Sequence, residues 1–425
     1  MLQAVRILLA LLALSLMAGC YRMQTLRRQA RRLDAFVRID GRVRVPREER
    51  NGPIVVLLLR EPRNPAEPVA IVDQVQLFEP GNFHFRVMPD LYQLSAYVDV
   101  NENLLLDGDE PFVQPTRASS DTRNILRIDG SVRAPPRAEW AHRFIQSRDY
   151  RLGHVISLDD PLRGPASGSY GMWQPLRFMR RYVMGVYFLG PHDPTRTPVV
   201  FVHGMGGFPQ QFQRWTELMD ARRYQAWFVH YPSGMPLDQV SEWLNRALNE
   251  LQTRLGFQRL CMVGHSMGGV IAREVINRHV DNSGASFLRG LVTVAAPMSG
   301  LTSAEFGVDW SPSVAPSWKD LVDGSDLLAA LYRHPLPDYT RYDLIFTFHA
   351  SSGDDTVVAV RSQLRPEAQR EADSLFGFES THAAILESRD AWDHVARSLE
   401  ACAPPVPVVD EANAGSVTGR SDPDG

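Results

Sequence analysis

The run Val263-Gly264-His265-Ser266-Met267-Gly268-Gly269 joins two segments of different periodicity. Before it, Leu260-Cys261-Met262-Val263 is continuously apolar, as a strand covered on both faces would be. After it, Val270-Ile271-Ala272-Arg273-Glu274-Val275-Ile276 has helical spacing. Ser266 therefore falls on a sharp strand-to-helix turn. Such a turn strains its central residue, and a side chain two positions to either side would collide with the neighbouring element. Glycine at 264 and 268 removes both collisions and leaves the serine hydroxyl exposed above a sheet, at a helix N-terminus. A glycine-rich turn without chemistry would look the same in isolation, so the rest of the chain has to supply the partners.

A serine hydroxyl is a weak nucleophile until a base takes its proton and a carboxylate orients that base. Downstream, Tyr342 to His349 reads as a buried strand running into the loop Ser351-Ser352-Gly353-Asp354-Asp355-Thr356-Val357-Val358. A carboxylate just past a strand's C-terminal end can serve. Asp355 is the favoured acid and Asp354 the alternative, the unused aspartate being a solvated turn residue. His382, in Glu379-Ser380-Thr381-His382, lies on a loop before an amphipathic helix expected to begin near Ala383. His349, His334 and His230 are rival bases. The remaining need is a pair of N–H donors for a developing oxyanion. The turn itself offers the Met267 amide. The apolar run Pro198 to Val202, opening into His203-Gly204-Met205-Gly206-Gly207, offers the amide of Met205, with His203 read as a brace for the loop.

These residues resemble the lipase and esterase branch of the α/β-hydrolase superfamily. The resemblance rests on His203-Gly204-Met205-Gly206-Gly207, Gly264-His265-Ser266-Met267-Gly268, Asp355-Thr356-Val357-Val358 and Thr381-His382, with Ala295-Ala296-Pro297-Met298-Ser299-Gly300 as a further matching segment. It covers roughly Tyr182 to Cys402. It implies a doubly wound, mostly parallel sheet, with Ser266 as nucleophile, His382 as base and Asp355 as orienting carboxylate in that chain order. His349 precedes the acid and His230 precedes the serine, so neither fits the order. The doubled aspartate departs from the pattern and leaves the acid's identity open. No metal or organic cofactor is implied.

The N-terminus bears on location. Arg6 precedes an apolar run, Ile7 to Met17, too short to span a bilayer and shaped like a secretory signal. It ends Leu16-Met17-Ala18-Gly19-Cys20, which resembles a bacterial lipobox, with Met17 where leucine is usual. That resemblance implies residues 1–19 as a cleaved lipoprotein signal peptide and Cys20 as the lipidated residue anchoring the chain to a membrane. Tyr21 in place of aspartate points to the outer membrane. Residues 20–35 are expected to form a basic linker, in which Arg27, Arg28, Arg31 and Arg32 either touch anionic head groups or stay solvated. Of the three cysteines, Cys261 and Cys402 remain, and an oxidising compartment permits but does not require a bridge between them.

Length and apolar content allow two globular domains after the signal. From 36 to 133 short alternating segments, such as Phe83-His84-Phe85-Arg86-Val87, predict a small β-sandwich, which looks like the prealbumin-like accessory domains found beside secreted hydrolases. Within it Asp99, Asn101, Asn103, Asp107 and Glu110 fall at ligand positions of a calcium-loop template, but Leu104 stands where the template has glycine, and an Asp/Asn-rich turn is the preferred reading. Residues 134–180 are expected to be a connector packing on the hydrolase. In the hydrolase domain, 181–402, strands are predicted near 182–189, 198–203, 225–230, 259–263, 289–295 and 343–348, with helices near 208–220, 237–255 and 267–280. An insertion at about 298–340 carries Phe306, Trp310, Trp318, Leu327, Leu328 and Leu331, and reads either as a mobile lid or as a crossover whose aromatics are core. The tail, 403–425, is expected to be disordered.

A formal net charge of −4 argues against a nucleic-acid partner. The expectation is a serine hydrolase of carboxylic esters in the bacterial envelope, acting on an ester or lipid substrate. An acyltransferase would use the same residues with an alcohol replacing water. A non-catalytic binding lipoprotein on the same fold is the third reading.

Overall fold

The computed structural model describes residues 23–61, 64, 69–135, 144–146, 150–282, 286–304, 308, 314–351 and 353–403. Cys20, the signal-like segment, Phe306, Trp310 and nearly all of the expected disordered tail lie outside them. The described residues begin with a helix, α1 (23–34), in the segment expected to be a basic linker, and it packs on the body instead of standing off it. Thr25, Leu26, Gln29 and Leu33 are buried along one side of it, and Leu33 joins the main core. Its inward face holds only two large apolar residues, which is why the segment reads as a solvated basic run.

A β-rich unit follows, made of Val37–Arg44 (β1), Ile54–Arg60 (β2), Val69–Leu77 (β3), Asn82–Val87 (β4), Tyr92–Val98 (β5), Phe112–Arg117 (β6), Asn124–Arg127 (β7) and Phe144–Gln146 (β8). The strand orders are β4-β1-β7 in one sheet and β6-β5-β2-β3-β8 in the other. Strand β2 explains the packing. Its residues alternate in direction, so Ile54, Val56 and Leu58 fill the core shared with the smaller sheet, while Val55, Leu57 and Leu59 pack under Leu104 and Leu106. Both faces are covered, hence the unbroken apolar run.

The loop carrying those two leucines is the calcium-like segment, and it closes on itself. Asp99 accepts the N–H groups of Asn103 (3.1 Å) and Leu104 (2.8 Å), and Glu110 accepts those of Val100 (3.0 Å) and Asp107 (2.9 Å). Leu104 takes the left-handed backbone (φ 60°) that the template assigns to glycine. Among the described residues no group of three or more His, Cys, Asp or Glu is arranged to hold a metal ion.

The second unit is an eight-stranded sheet of Tyr150–Val155 (β9), Met184–Phe188 (β10), Thr197–Val202 (β11), Tyr224–His230 (β12), Leu260–His265 (β13), Leu288–Val294 (β14), Arg341–Phe348 (β15) and Ser374–Glu379 (β16). Its order is β16-β15-β14-β13-β11-β12-β10-β9. Six strands run parallel, while β10 is antiparallel to β12 and parallel to β9. Strands β9 and β16 differ from the sequence reading. Residues 150–155, expected to be connector, form one edge of this sheet, and β8 pairs with β3 in the β-rich unit. Gly153, at φ 74°, interrupts any alternation in β9, and β16 is half-exposed or exposed throughout, so neither edge has an apolar signature.

Helices cover both faces. Leu237–Leu255 (α2) and Met267–Asn282 (α3) line one core, and Arg389–Cys402 (α4) packs on the other. The last helix starts at Arg389, with Ser388 accepting the Ala391 N–H (3.2 Å), after a separate turn at Ala384–Glu387. Cys402 at its end is joined to Cys261 in β13 by a disulfide. The β-rich unit rests on α2 through polar contacts: His84 to Glu242 at 2.6 Å, Arg86 to Asp238 at 3.2 Å and Arg246 to Asp73 at 3.1 Å. Burial alone would raise the Glu242 pKa, but His84, Arg246 and Arg278 hold it down at about 2.

The insertion is a packed wall where it is described. Leu301, Leu321, Leu328 and Leu331 belong to the main core. Arg365 donates to the carbonyls of Met298 (3.2 Å) and Leu328 (2.8 Å), and Arg273 to that of His334 (2.6 Å). Arg273 is fully buried, its charge met by Glu371 at 3.0 and 2.9 Å. Among the described residues no helix is long and apolar enough to cross a membrane.

Candidate active site

The site lies at the carboxyl ends of β11, β13, β15 and β16, where open α/β sheets bind ligands. Ser266 follows β13 at φ 56°, left-handed backbone that a non-glycine residue occupies only under constraint. Its N–H donates to Val294 O (2.8 Å) and its carbonyl accepts from Gly269 N–H (2.8 Å), which fixes the turn. A Cβ on Gly268 would run into the carbonyl of Val202, and one on Gly264 would lie 2.5 Å from Gly268 O. Both glycines are therefore required by close backbone approach, not by local flexibility.

Asp355 and His382 come together across 27 residues of sequence, with His382 Nδ1 2.7 Å from Asp355 Oδ2. A second bond, His382 N–H to Asp355 O (2.8 Å), locks the two loops at the backbone. Asp355 is completely buried. Its Oδ1 accepts the N–H groups of Val357 (3.0 Å) and Val358 (2.6 Å), and Oδ2 also accepts the Thr347 hydroxyl (2.6 Å). Burial would raise its pKa, but His382, Thr347 and the Val358 N–H outweigh it and hold the carboxyl below its ordinary value. With a carboxylate on Nδ1, His382 carries its proton there and presents the lone pair of Nε2. Asp354 is partly exposed and accepts the Thr356 N–H (2.9 Å) as a turn residue does.

The rival histidines are engaged elsewhere. His230 is buried, with Nδ1 2.6 Å from Arg163 and Nε2 3.1 Å from Ser167. Burial and Arg163 push its pKa well below the ordinary value. His334 meets Asp281 at 2.7 Å and His349 meets Ser351 at 2.8 Å, both at the surface. His203 is buried and stacked on Tyr231 (4.2 Å between centroids), and its Nδ1–H donates to Gly204 O (2.9 Å). Burial lowers its pKa to about 4, so it is neutral.

Met205 and Met267 flank the serine. Met267 opens α3, and Met205 lies on the glycine loop after β11, in which a Cβ on Gly204 would come 2.7 Å from that of Ser266. Among the described residues neither amide donates to a protein acceptor. Ser233 holds the loop by accepting the Gly206 N–H (2.9 Å), and Trp318 of the wall donates its indole N–H to the sulfur of Met205 (2.7 Å).

Sequence reasoning missed several supporting groups. His265 donates from Nε2 to His382 O (2.9 Å), and its ring lies 4.8 Å from that of His382. Burial, reinforced by His382, drops the His265 pKa to about 3, so it stays neutral beside the base. Gln211 bridges Phe208 N–H (3.1 Å) and His265 Nδ1 (3.5 Å), tying the glycine loop to the residue before the serine. Gln363 buttresses Thr347, accepting its N–H (2.8 Å) and donating to its carbonyl (2.9 Å). Nothing in local sequence marks these residues, because each partner is distant along the chain.

A strained serine on a strand-to-helix turn, a histidine–carboxylate pair against the residue that precedes it and a glycine loop packed on its Cβ make up a hydrolase-type site on a doubly wound sheet. Residues 199–425 match the model of the alpha/beta hydrolase family, more than half of the chain, and the chain belongs to that family. No curated protein sequence matches it. Solved structures with a similar chain path include a lipase of Bacillus licheniformis, BlEst2 in its mature form (18% identity, TM-score 0.39, covering 48% of this chain and 92% of that one). Others are the lin2722 gene product of Listeria innocua (17%, 0.38, 48% and 94%) and a lipase-esterase related protein of Clostridium acetobutylicum (14%, 0.34, 52% and 99%). Likeness at this level assigns no substrate.

Proposed function

We propose that the protein is a serine hydrolase of carboxylic esters that works through an acyl-enzyme on Ser266. The observation that carries this reading is the 2.7 Å bond from His382 to the fully buried Asp355, on a histidine lying against the residue that precedes a left-handed serine. Ser266 Oγ attacks the ester carbonyl carbon while His382 Nε2 takes its proton. The Met205 and Met267 amides receive the oxyanion, a contribution of about 10²-fold or more per donor in such sites. The tetrahedral intermediate collapses, the C–O bond to the alcohol breaks, and His382 returns the proton to the departing oxygen. Water repeats the sequence on the acyl-enzyme and releases the acid. Trp318 packed on Met205 sets apolar side chains beside the glycine loop, which favours an apolar acyl group.

The same reading places the protein in the bacterial envelope, anchored to the outer membrane through acylated Cys20. The Cys261–Cys402 disulfide supports an oxidising compartment. The test uses the full chain in detergent with p-nitrophenyl esters of short and long acyl chains, beside Ser266→Ala, together with fluorophosphonate labelling. Turnover and labelling that both vanish in the variant are expected. Wild-type protein that neither turns over any ester nor labels at Ser266 refutes the reading. Palmitate incorporation lost in Cys20→Ala tests the anchor separately.

A further inference from the structure

Two adjoining surface helices carry arginines that the proposed chemistry does not use. On α1, Arg27, Arg28, Arg31 and Arg32 are exposed while Thr25, Leu26, Gln29 and Leu33 face inward. The helix Pro175–Arg181 adds Arg177, Arg180 and Arg181, all exposed, and is fastened to α1 by the Leu176 N–H donating to Gln29 Oε1 (2.9 Å). Asp34 is the one acidic residue in the two segments. Among the described residues none of these arginines forms an ion pair. Arg177 meets only the amide of Gln174 (3.0 Å), and Arg181 lies 5.6 Å from the Tyr182 ring centroid. Elsewhere in a chain of net charge −4, arginines such as Arg246, Arg273 and Arg333 are matched to carboxylates.

We propose that this face docks on an anionic phospholipid surface. Cationic side chains held on a rigid helix gain attraction to such a surface without losing much freedom, and each strengthens binding several-fold. The position fits a membrane better than a soluble polyanion. Helix Pro165–Trp173, which leads directly into Pro175–Arg181, packs so closely on the glycine loop that a Cβ on Gly168 would meet the carbonyl of Gly206. The cationic face is thereby joined, through helix Pro165–Trp173, to the glycine loop beside Ser266. Helix α1 also begins only three residues past Cys20 in the sequence, the residue proposed as the lipid anchor. The inference goes beyond ester hydrolysis and does not need it.

The test is flotation of the full chain with phosphatidylcholine vesicles, with and without phosphatidylglycerol, in low and high salt. Wild-type protein should bind the anionic vesicles at least about ten-fold more tightly in low salt, and high salt should erase the difference. R27E/R28E and R177E/R180E should each lose most of that preference, and the milder R27Q/R28Q part of it. Thermal melting and fluorophosphonate labelling of Ser266 check that the variants are folded. Equal affinity for the two vesicles, a preference untouched by either charge reversal, or tighter capture by a single-stranded oligonucleotide than by anionic vesicles would overturn the proposal. None of these readouts depends on turnover, so failure here is distinct from failure of the hydrolase reading.

Discussion

Asp355→Asn should disable the site by reversing a tautomer, and the structure fixes which way the new amide points. Oδ1 of Asp355 is held by two backbone N–H donors, Val357 at 3.0 Å and Val358 at 2.6 Å. Only an oxygen can sit there, so the asparagine NH₂ must take the place of Oδ2. That position faces His382 Nδ1 at 2.7 Å and the Thr347 hydroxyl at 2.6 Å. Thr347 can adapt by turning its hydrogen toward Gln363 Oε1, 3.4 Å away. His382 cannot adapt without cost: Nδ1 becomes an acceptor, the proton moves to Nε2, and the lone pair that should take the serine proton is gone. The carboxylate that stabilises the imidazolium is lost in the same step. Loss of the correct tautomer in a triad costs about 10³–10⁴ in rate, or ~4–5.5 kcal/mol at 1.36 kcal/mol per decade. The assay is kcat/KM on a p-nitrophenyl ester, with the melting temperature as control. Asp354→Asn should stay within about three-fold of wild type, as surface turn substitutions do. A loss below ten-fold in Asp355→Asn, or a larger loss in Asp354→Asn, would refute the assignment.

His265→Ala removes the bond to the His382 carbonyl and the ring against the base. It should lower kcat roughly ten-fold with little change in KM, and slow fluorophosphonate labelling equally; a KM effect alone would make His265 a binding group instead. Reducing the Cys261–Cys402 bridge releases a loop closed across a sequence separation of 141. Chain entropy sets a ceiling of about 5 kcal/mol, and a loss of about 2–4 kcal/mol is expected in denaturant titration; an unchanged midpoint with two free thiols by titration would contradict it. Burial raises the Asp320 carboxyl to about 6 from its ordinary 3.8, so the folded state holds the proton more tightly than the unfolded chain. The resulting stabilisation is full below pH 3.8 and is lost as pH rises through about 6. Asp320→Asn should remove that slope, and melting curves of wild type and variant that run parallel across this window would show the shift to be absent.

What the sequence made legible follows from how strictly each feature constrains residue type. Strands β11, β12 and β13 are buried at every residue, so their central residues are apolar runs and polar residues fall mainly near their ends. The serine turn was legible because backbone collisions demand glycine at 264 and 268, and helix α2 was placed at its observed bounds by its amphipathic spacing. Edge strands β9 and β16 were not legible: an edge half-exposed to solvent tolerates any residue. The seating of the β-rich unit was hidden for a related reason. Its contacts on α2 are ion pairs and side-chain hydrogen bonds, such as Gln76 to Thr253 at 2.5 Å, with no apolar signal to read. Within the site, Ser266 and the doubled aspartate were visible as motifs, but His265 acts on a carbonyl 117 residues away, a distance no local pattern encodes.

The supporting contacts also give the β-rich unit a place in the site despite its lack of reactive groups. His84 and Arg86 of β4 hold Glu242 and Asp238, both in the first turns of α2. The first residue of that helix, Leu237, donates its N–H to Asp320 Oδ2 (2.6 Å), so the carboxyl that caps the helix comes from the wall. Two residues before Asp320 stands Trp318, whose indole N–H meets Met205 on the glycine loop. Each link is a polar contact, and each joins elements that the main sheet does not itself connect. The sheet and the loops at its carboxyl ends hold the serine, acid and base through backbone geometry together with the side chains of Thr347, Gln363 and His265. Met205, proposed as the second oxyanion donor, instead meets a wall braced, through α2, against a separate layer of β-structure. Under the proposed function, the wall bears on Met205 while the His382–Asp355 pair is held by other contacts, so substitutions at Trp318 should alter the acyl group accepted without disturbing that pair.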